Sequence, residues 1–95
     1  MQRSDRPGPL SGLLVVDMTR VLAGPFCTLL LADLGARVIK IERPGRGDDA
    51  RGIGPFVDGR SAYFLSLNRG KESIALDIQA HGDRAIFERL LARAD

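Results

Sequence analysis

The sequence is poor in the residues that mark several large classes of protein. It contains one cysteine (Cys27) and no tryptophan, and its other aromatic residues are four phenylalanines and one tyrosine. One cysteine cannot form an intrachain disulfide, which indicates a reducing compartment. The polar N-terminal segment MQRSDRPGPL lacks the apolar core of a secretory signal, and the longest apolar stretch, residues 26–34, is interrupted by Asp33 and too short to span a bilayer. These absences predict a soluble cytoplasmic protein with no membrane partner.

An excess of charge of one sign is also lacking. The 14 basic residues are interleaved with 12 acidic ones, so the net charge is only +2. With few aromatic residues and no basic face, the pattern predicts no nucleic-acid partner, although a few arginines suffice for a small anionic ligand. The 44% apolar and 27% charged content is that of an ordinary globular protein, and 95 residues allow one small domain at most.

The apolar pattern predicts three strands and two helices, in the order strand, helix, strand, loop, strand, helix. A flexible lead over residues 1–9 precedes a domain over residues 10–95, and the elements cover residues 13–16, 26–34, 37–42, 73–77 and 83–94. Pro25 suits the first position of the first helix, and Gly35 suits its C-terminal end. Residues 43–70 form a long loop by composition, with one or two helical turns at 62–67. The fold class is α/β, and the parallel sheet is expected to be incomplete because such sheets usually have more than three strands.

Individual charged residues are interpreted from their neighbours in the sequence. Asp17 is expected to accept backbone N–H bonds in the turn after the first strand. Lys40 is placed at a sheet edge or a wet face, and Glu42 is interpreted as a solvated carboxylate at a strand end. Asp48 and Asp49 are expected to be solvated in their glycine-rich loop.

Other interpretations follow from the two predicted helices. The first helix is apolar almost all round and is expected to be buried. Cys27 is then a small buried hydrophobic residue, although its place near a helix N-terminus would also suit a reactive thiol. His81 has no Ser, Cys or second His nearby in the sequence and is expected at an exposed helix start. Lys71 is left open between binding a phosphate and packing within its own loop.

Ligands of open parallel sheets bind beyond the carboxyl ends of the strands. These ends are residues 17–23, 42–44 and 76–79, which would line one rim. The first helix points its N-terminal amides at this rim, where phosphate binds readily, and Arg20 and Arg43 can pair with phosphate oxygens. RVLAGP supplies only one glycine of a G-x-G-x-x-G turn. The residues therefore predict a phosphate-bearing ligand and disfavour a dinucleotide.

Two long segments carry a resemblance to a known family. DMTRVLAGPFCTLLLADLGARVIKIERPGRGDDAR, followed by SAYFLSLNRGKESIALD, resembles the N-terminus of family III coenzyme A transferases, a family that also includes the α-methylacyl-CoA racemases. The similarity covers residues 10–95 with the spacing kept throughout. It implies a Rossmann-like domain and an interlocked homodimer. It also implies that coenzyme A or acyl-CoA is bound as a substrate rather than as a tightly held cofactor.

The resemblance also assigns the rim residues to CoA. Together with the rim argument it gives the candidate CoA-binding residues Arg20, Val21, Leu22, Ala23, Arg43, Leu76, Asp77, Ile78 and Gln79. The catalytic residues of the resembled enzymes are an Asp in the transferases and a His with an Asp in the racemases, and they lie downstream of residue 95. No catalytic residue and no metal ligand is therefore assigned in this chain. Ala80 and His81 depart from the usual Ser/Thr-Pro helix start, which removes a side-chain cap.

The expected function is CoA binding in an enzyme that transfers CoA from an acyl-CoA to a free carboxylic acid. One alternative is a 2-methylacyl-CoA racemase or epimerase of the same family, which the quoted segments do not separate from a transferase. The other alternative is a non-catalytic fragment or interaction module. The chain on its own is expected to be inactive, because the region of the catalytic Asp is absent.

Overall fold

A computed structural model describes residues 8–95. The elements are, in chain order, β1 (Leu14–Asp17), α1 (Ala23–Asp33), β2 (Arg37–Glu42), a 3₁₀ helix (Asp49–Gly52), β3 (Phe56–Val57), β4 (Arg60–Ser61), α2 (Ala62–Asn68), β5 (Glu72–Ala75) and α3 (His81–Arg93). Of the lead predicted for residues 1–9, residues 1–7 lie outside the described part of the chain.

β2 is the centre of a three-stranded parallel sheet with the order β1-β2-β5. Leu14 pairs with Arg37 on one side of β2, and Glu42 pairs with Ala75 on the other side. Because the three strands run in the same direction, their carboxyl ends meet at one edge, as the sequence predicts. The α/β class is confirmed, and β2 has the bounds expected from the β-branched segment RVIKIE.

The ends of α1 show one correction and one confirmation. The helix begins at Ala23, so Pro25 is its third residue and not its first. A proline is tolerated there because the amides of the first turn have no acceptor within the helix. Gly35 follows the helix with φ +108°, the left-handed conformation that favours glycine at a helix end, and confirms its predicted role.

The connection between β2 and β5 is more regular than a loop. α2 confirms the helical turns expected at residues 62–67, but β3 and β4 were not predicted and form an antiparallel hairpin. Their turn is Asp58–Gly59, with φ +53° and +77°. An Asp-Gly pair with both residues at positive φ is typical of a two-residue hairpin turn. The prediction of an unbroken loop was therefore wrong in this part.

The apolar core is small and lies between the sheet and one side of α1 and α2. Its members include Leu29 on α1, Val38 on β2, and Phe64 and Leu67 on α2, whereas Ile39, the next residue of β2, is buried on the opposite face of the sheet. The expectation that α1 is buried all round was wrong, since the described residues cover only the side of the helix that faces the sheet. Cys27, expected to be buried, is exposed for the same reason.

The end of α3 returns to the free edge of β1. The backbone N–H of Asp95 donates to the Leu14 carbonyl at 2.9 Å, and the Asp95 carboxylate accepts from the Leu14 N–H at 2.9 Å. None of the helices between residues 8 and 95 combines the length and the apolar character needed to cross a membrane.

Candidate functional site

An open cleft of about 190 Å³ lies at the carboxyl edge of the sheet. It is lined by the last three residues of β2 and by residues that follow each of the three strands. The lining residues are Met18, Thr19, Arg20, Lys40, Ile41, Glu42, Arg43, Gly47, Asp48, Leu76 and Ile78. The cleft brings together four of the nine candidate binding residues, which are Arg20, Arg43, Leu76 and Ile78. Its apolar wall and its two exposed arginines suit a ligand with both a flat apolar part and anionic groups.

The other five candidate residues do not line the cleft. Val21, Leu22 and Ala23 lead from the cleft into α1, where Leu22 is the N-cap and makes no side-chain capping bond. Asp77 and Gln79 lie beyond β5, where the Asp77 carboxylate accepts the Gln79 N–H at 3.0 Å. The structure therefore places these five beside the cleft and not in its wall.

The two arginines differ in how they are held. Arg20 is exposed at the mouth of the cleft. Arg43 donates to the Gly47 carbonyl, at 3.2 Å from Nη2, and pairs with Asp49. Both side chains of this ion pair are about half exposed, so the pair contributes little to stability and can be replaced by a ligand anion at small cost.

The floor of the cleft is a buried ion pair between Lys40 and Asp48. The Lys40 Nζ lies 2.8 Å from the Asp48 Oδ2, and both side chains are only 1% exposed. Lys40 was expected at an edge or a wet face and Asp48 in solvent, and both expectations were wrong. β2 is the central strand, so its charged residue is covered, and the chain after β2 folds back to supply a carboxylate. Burial acts to raise the pKa of Asp48, but bonds from the Ala50 N–H, Lys40 and the Val21 N–H outweigh it and lower the pKa.

A second ion pair joins Glu42 to Arg51 on the same face of β2. The Arg51 Nε and Nη2 each lie 2.7 Å from a Glu42 carboxylate oxygen, and the guanidinium stacks 3.9 Å from the centre of the Phe64 ring. Glu42 also accepts from the Asp48 N–H at 2.8 Å and from the Ser73 hydroxyl. The bonds from Arg51, more than offsetting burial, lower the pKa of Glu42 to about 2. The prediction of a solvated carboxylate was wrong, whereas Asp49 is exposed as expected.

A third ion pair joins Asp17 at the end of β1 to Lys71 before β5. The Lys71 Nζ lies 3.1 Å from the Asp17 Oδ2 and also donates to the Pro25 carbonyl and to Asn68, at 3.0 and 2.8 Å. Lys71 was left open between binding a phosphate and packing within its own loop; only its bond to Asn68 is local, and its other two bonds go to β1 and α1. The Asp17 Oδ1 accepts the Thr19 N–H at 2.8 Å, which confirms its predicted role in the turn.

Two further interpretations concern reactive groups. His81 is exposed and is the first residue of α3, as expected. The N-cap of α3 is Ala80, and it makes no side-chain capping bond. Within residues 8–95, no group of three or more His, Cys, Asp or Glu side chains is arranged to hold a metal ion.

Two residues that support the cleft were not predicted from the sequence: Arg51, which holds Glu42, and Asp48, which pairs with Lys40. One signal was available. A lysine inside the apolar strand RVIKIE cannot be buried without a carboxylate partner, and the nearest unassigned carboxylates, Asp48 and Asp49, follow in the next loop.

The relatives of the chain share its fold and identify its family. The sequence model of CoA-transferase family III matches residues 10–95. The chain belongs to CoA-transferase family III.

Curated members of family III include several close relatives. An acetyl-CoA:oxalate CoA-transferase from Acetobacter aceti is 59% identical over 88 residues, which are 93% of this chain and 23% of that protein. A succinyl-CoA:glutarate CoA-transferase from Mus musculus is 54% identical over 96% of this chain and 21% of that protein. A succinyl-CoA:mesaconate CoA-transferase from Haloarcula hispanica is 52% identical over 93% of this chain and 23% of that protein. The chain thus spans less than a quarter of the length of these relatives.

Solved structures of family III members share the fold. A CAIB/BAIF family protein from Brucella suis superposes with a TM-score of 0.87 at 47% identity, over 95% of this chain and 25% of that one. A hypothetical protein from Mycobacterium tuberculosis gives 0.83 at 42% identity, over 97% of this chain and 24% of that one. The incomplete Rossmann-like arrangement predicted from the sequence is therefore confirmed.

Proposed function

We propose that this chain is the N-terminal CoA-binding part of an acyl-CoA:carboxylate CoA-transferase, with residues 10–95 as one structural unit. The observation that carries the proposal is the family match over residues 10–95, joined by curated relatives that are named CoA-transferases at more than 50% identity. In the proposed reaction the CoA thiolate leaves the acyl group of the donor and ends in a thioester with the acceptor acid. The acceptor carboxylate gives up one oxygen as its thioester forms, and the donor acyl group takes up that oxygen and is released as a carboxylate.

The cleft at the carboxyl edge of the sheet supports CoA as the guest. Ile41, Leu76 and Ile78 offer an apolar surface for the adenine ring, and Arg20 and Arg43 are exposed cations within reach of the phosphates. We propose that these five residues form the wall of the site.

The remaining candidate residues complete the proposed site beside the cleft. Val21, Leu22 and Ala23 supply backbone contacts along the start of α1, whose positive end favours anionic groups. Asp77 and Gln79 flank Ile78 at the end of β5. The roles of all nine residues are proposals that binding measurements on variants can test.

The relatives also suggest what kind of acid accepts CoA. The acceptors in the three relatives' names are oxalate, glutarate and mesaconate, and all are small dicarboxylates. We infer that the acceptor here is also a small dicarboxylate and that the donor is a short acyl-CoA such as acetyl-CoA or succinyl-CoA. The full-length enzyme is proposed to be an interlocked homodimer, as the family resemblance implies.

The test is a CoA exchange assay on the full-length protein that contains this chain. Acetyl-CoA or succinyl-CoA is mixed with each dicarboxylate, and the new CoA thioester is measured by mass spectrometry. Formation of the acceptor's thioester only when that acceptor is present is the expected result.

Two control measurements distinguish the alternatives. Exchange of the proton α to the thioester of a 2-methylacyl-CoA in deuterated water, without CoA transfer, would indicate a racemase or epimerase. Free CoA is titrated into the same protein by calorimetry. A folded protein that neither binds CoA nor catalyses either reaction would contradict the proposal and favour an interaction module.

A further inference from the structure

We propose that Lys40 and Asp48 are positioning residues that set the conformation of the rim loop (residues 18–22), an inference that rests on the CoA-binding function proposed above. Neither side chain is free to bind a ligand, because both are almost fully buried and their polar atoms are used within the chain. They act on CoA through the loop that they hold.

Asp48 connects the rim loop to the chain after β2. Its Oδ1 accepts the Val21 N–H at 3.1 Å and the Ala50 N–H at 2.9 Å, while its Oδ2 pairs with Lys40. The carboxylate thus fixes an amide of the rim loop and an amide of the 3₁₀ helix at the same time. A loop that lacked this acceptor would leave the partly buried Val21 amide unpaired.

Lys40 holds the other side of the same loop. Its Nζ donates to the Thr19 carbonyl at 2.9 Å in addition to pairing with Asp48. Lys40 is on the central strand, where the neighbouring strands on both sides limit its movement. The rim loop is therefore held at Thr19 and at Val21, two residues apart, from a rigid part of the sheet.

Val21 shows why the loop needs to be held. It has φ +71°, a left-handed conformation that a β-branched residue rarely adopts. Such a conformation persists only where surrounding contacts enforce it. The contacts on the Val21 amide and the Thr19 carbonyl come from Asp48 and Lys40. Arg20 lies between these two residues, so its direction into the cleft depends on the same contacts.

The ion pair between Asp17 and Lys71 provides a matched control. Its side chains are as buried as those of Lys40 and Asp48, at 0% and 2% exposure. Lys71 does not contact the rim loop; its bonds go to Asp17, Pro25 and Asn68. A variant of Lys71 therefore loses a buried lysine and stability but keeps the contacts of Asp48 and Lys40 on the rim loop. Asp17 also contacts this loop, but it accepts the Thr19 N–H with Oδ1, whereas Lys71 binds Oδ2, so that contact is kept as well.

The experiment uses the full-length protein and three variants. K40M/D48L removes both charges and both contacts on the rim loop, K40M/D48N removes the charges but keeps an oxygen for the Val21 amide, and K71M is the control. The dissociation constant of free CoA is measured by calorimetry, and folding is checked by circular dichroism and thermal melting. KM is measured in the exchange assay, with the concentrations of the donor and of the acceptor varied separately.

We expect K40M/D48L to bind CoA about tenfold or more weakly, because a misplaced loop loses aligned contacts. KM should rise for the acyl-CoA and stay unchanged for the carboxylate acceptor, a difference that a general loss of stability would not produce. K40M/D48N should bind CoA more tightly than K40M/D48L, and K71M should melt at a lower temperature but bind CoA like the wild type.

Several results would overturn the inference. One is a folded K40M/D48L protein with the wild-type dissociation constant, and another is an equal loss of affinity in K71M. Should K40M/D48L fail to fold, the single variants K40M and K71M are compared, and equal dissociation constants would reject the positioning role. If the wild-type protein itself did not bind CoA, the proposed function would fail first and this inference with it.

Discussion

Replacing Glu42 by glutamine should destabilise the chain by an amount that depends on pH. Glu42 uses both carboxylate oxygens twice, for Arg51, Asp48 and Ser73. A glutamine has one oxygen and would turn an NH₂ group toward groups that are themselves donors. The buried Asp48 N–H and the partly buried donors of Arg51 and Ser73 would lose acceptors, so E42Q is costly even though the two side chains have the same shape.

The size of the effect follows from the pKa of Glu42. Its contacts lower the pKa from 4.5 to about 2, which corresponds to about 3 kcal/mol at about 1.4 kcal/mol for each pKa unit. Because the folded-state pKa is the lower one, this stability is fully present above pH 4.5 and is lost as the pH falls toward 2. About 2 kcal/mol of it should be lost between pH 7 and pH 3. E42Q lacks the titrating group, so the difference between the two proteins should shrink by that amount.

The assay is urea unfolding of the 95-residue chain at pH 7 and pH 3, followed by circular dichroism. The same concentration of sucrose in every sample favours the folded state and, because sucrose does not titrate between pH 7 and pH 3, acts equally at both pH values. Asp17 and Asp48 also have lowered pKa values, but they titrate in both proteins and cancel in the difference. A difference between wild type and E42Q that is equal at the two pH values would refute the reasoning.

A double-mutant cycle with R51M separates the ion pair from the stacking of Arg51 on Phe64. The stacking is lost in R51M and in E42Q/R51M alike, so only the coupling between Glu42 and Arg51 remains. Since Arg51 is half exposed, we expect a coupling of about 1–2 kcal/mol at pH 7, between the values for exposed pairs and for buried ones. A coupling near zero would assign the low pKa to the other donors.

Four further variants test the fold and the site. Gly24→Ala should lower the melting temperature, because the new Cβ would lie 2.4 Å from the Cβ of Thr19, which Asp17 holds in place. Gly82→Ala, with no atom near the new Cβ, should instead stabilise α3 by about 0.5–1 kcal/mol. A higher melting temperature for Gly24→Ala than for Gly82→Ala would contradict the geometry. Gly59→Ala should cost about 1 kcal/mol in urea unfolding because Gly59 has φ +77° in the hairpin turn, and an unchanged midpoint would argue against that turn. Arg43→Ala should weaken CoA binding in calorimetry while the melting temperature stays the same, since its ion pair with Asp49 is exposed; an unchanged dissociation constant would remove Arg43 from the proposed site.

The sequence predicted those parts of the fold that depend on local patterns. The β-branched run of β2 and the glycine after α1 were sufficient because strand propensity and a left-handed helix end are local properties. The hairpin of β3 and β4 was missed although Asp58–Gly59 is a strong turn signal. Its strands have two residues each, which is too short for alternation to be visible.

The rim of the site could be predicted for a topological reason, and its floor could not. Parallel strands bring their carboxyl ends to one edge whatever their side chains are, so Arg20, Arg43 and Leu76 were expected together and line one cleft. The pairing of Asp17 with Lys71 joins residues 54 positions apart, and no local pattern contains it. A buried charge is therefore visible in a sequence only as a lysine or an acidic residue inside an apolar run. The sequence does not show which residue pairs with it.

The first helix also shows the difference between what a sequence predicts and what it cannot predict, here for apolar residues. Leu22, Phe26, Leu30 and Leu34 are four positions apart and form one stripe along α1, and each is about half exposed. Thr28 and Leu29, on another side of the helix, are buried. The composition of α1 correctly indicated a largely apolar helix, but burial on all sides requires neighbours that the described residues do not supply. Periodicity shows which face of a helix favours contact; only tertiary structure shows whether another part of the protein meets it.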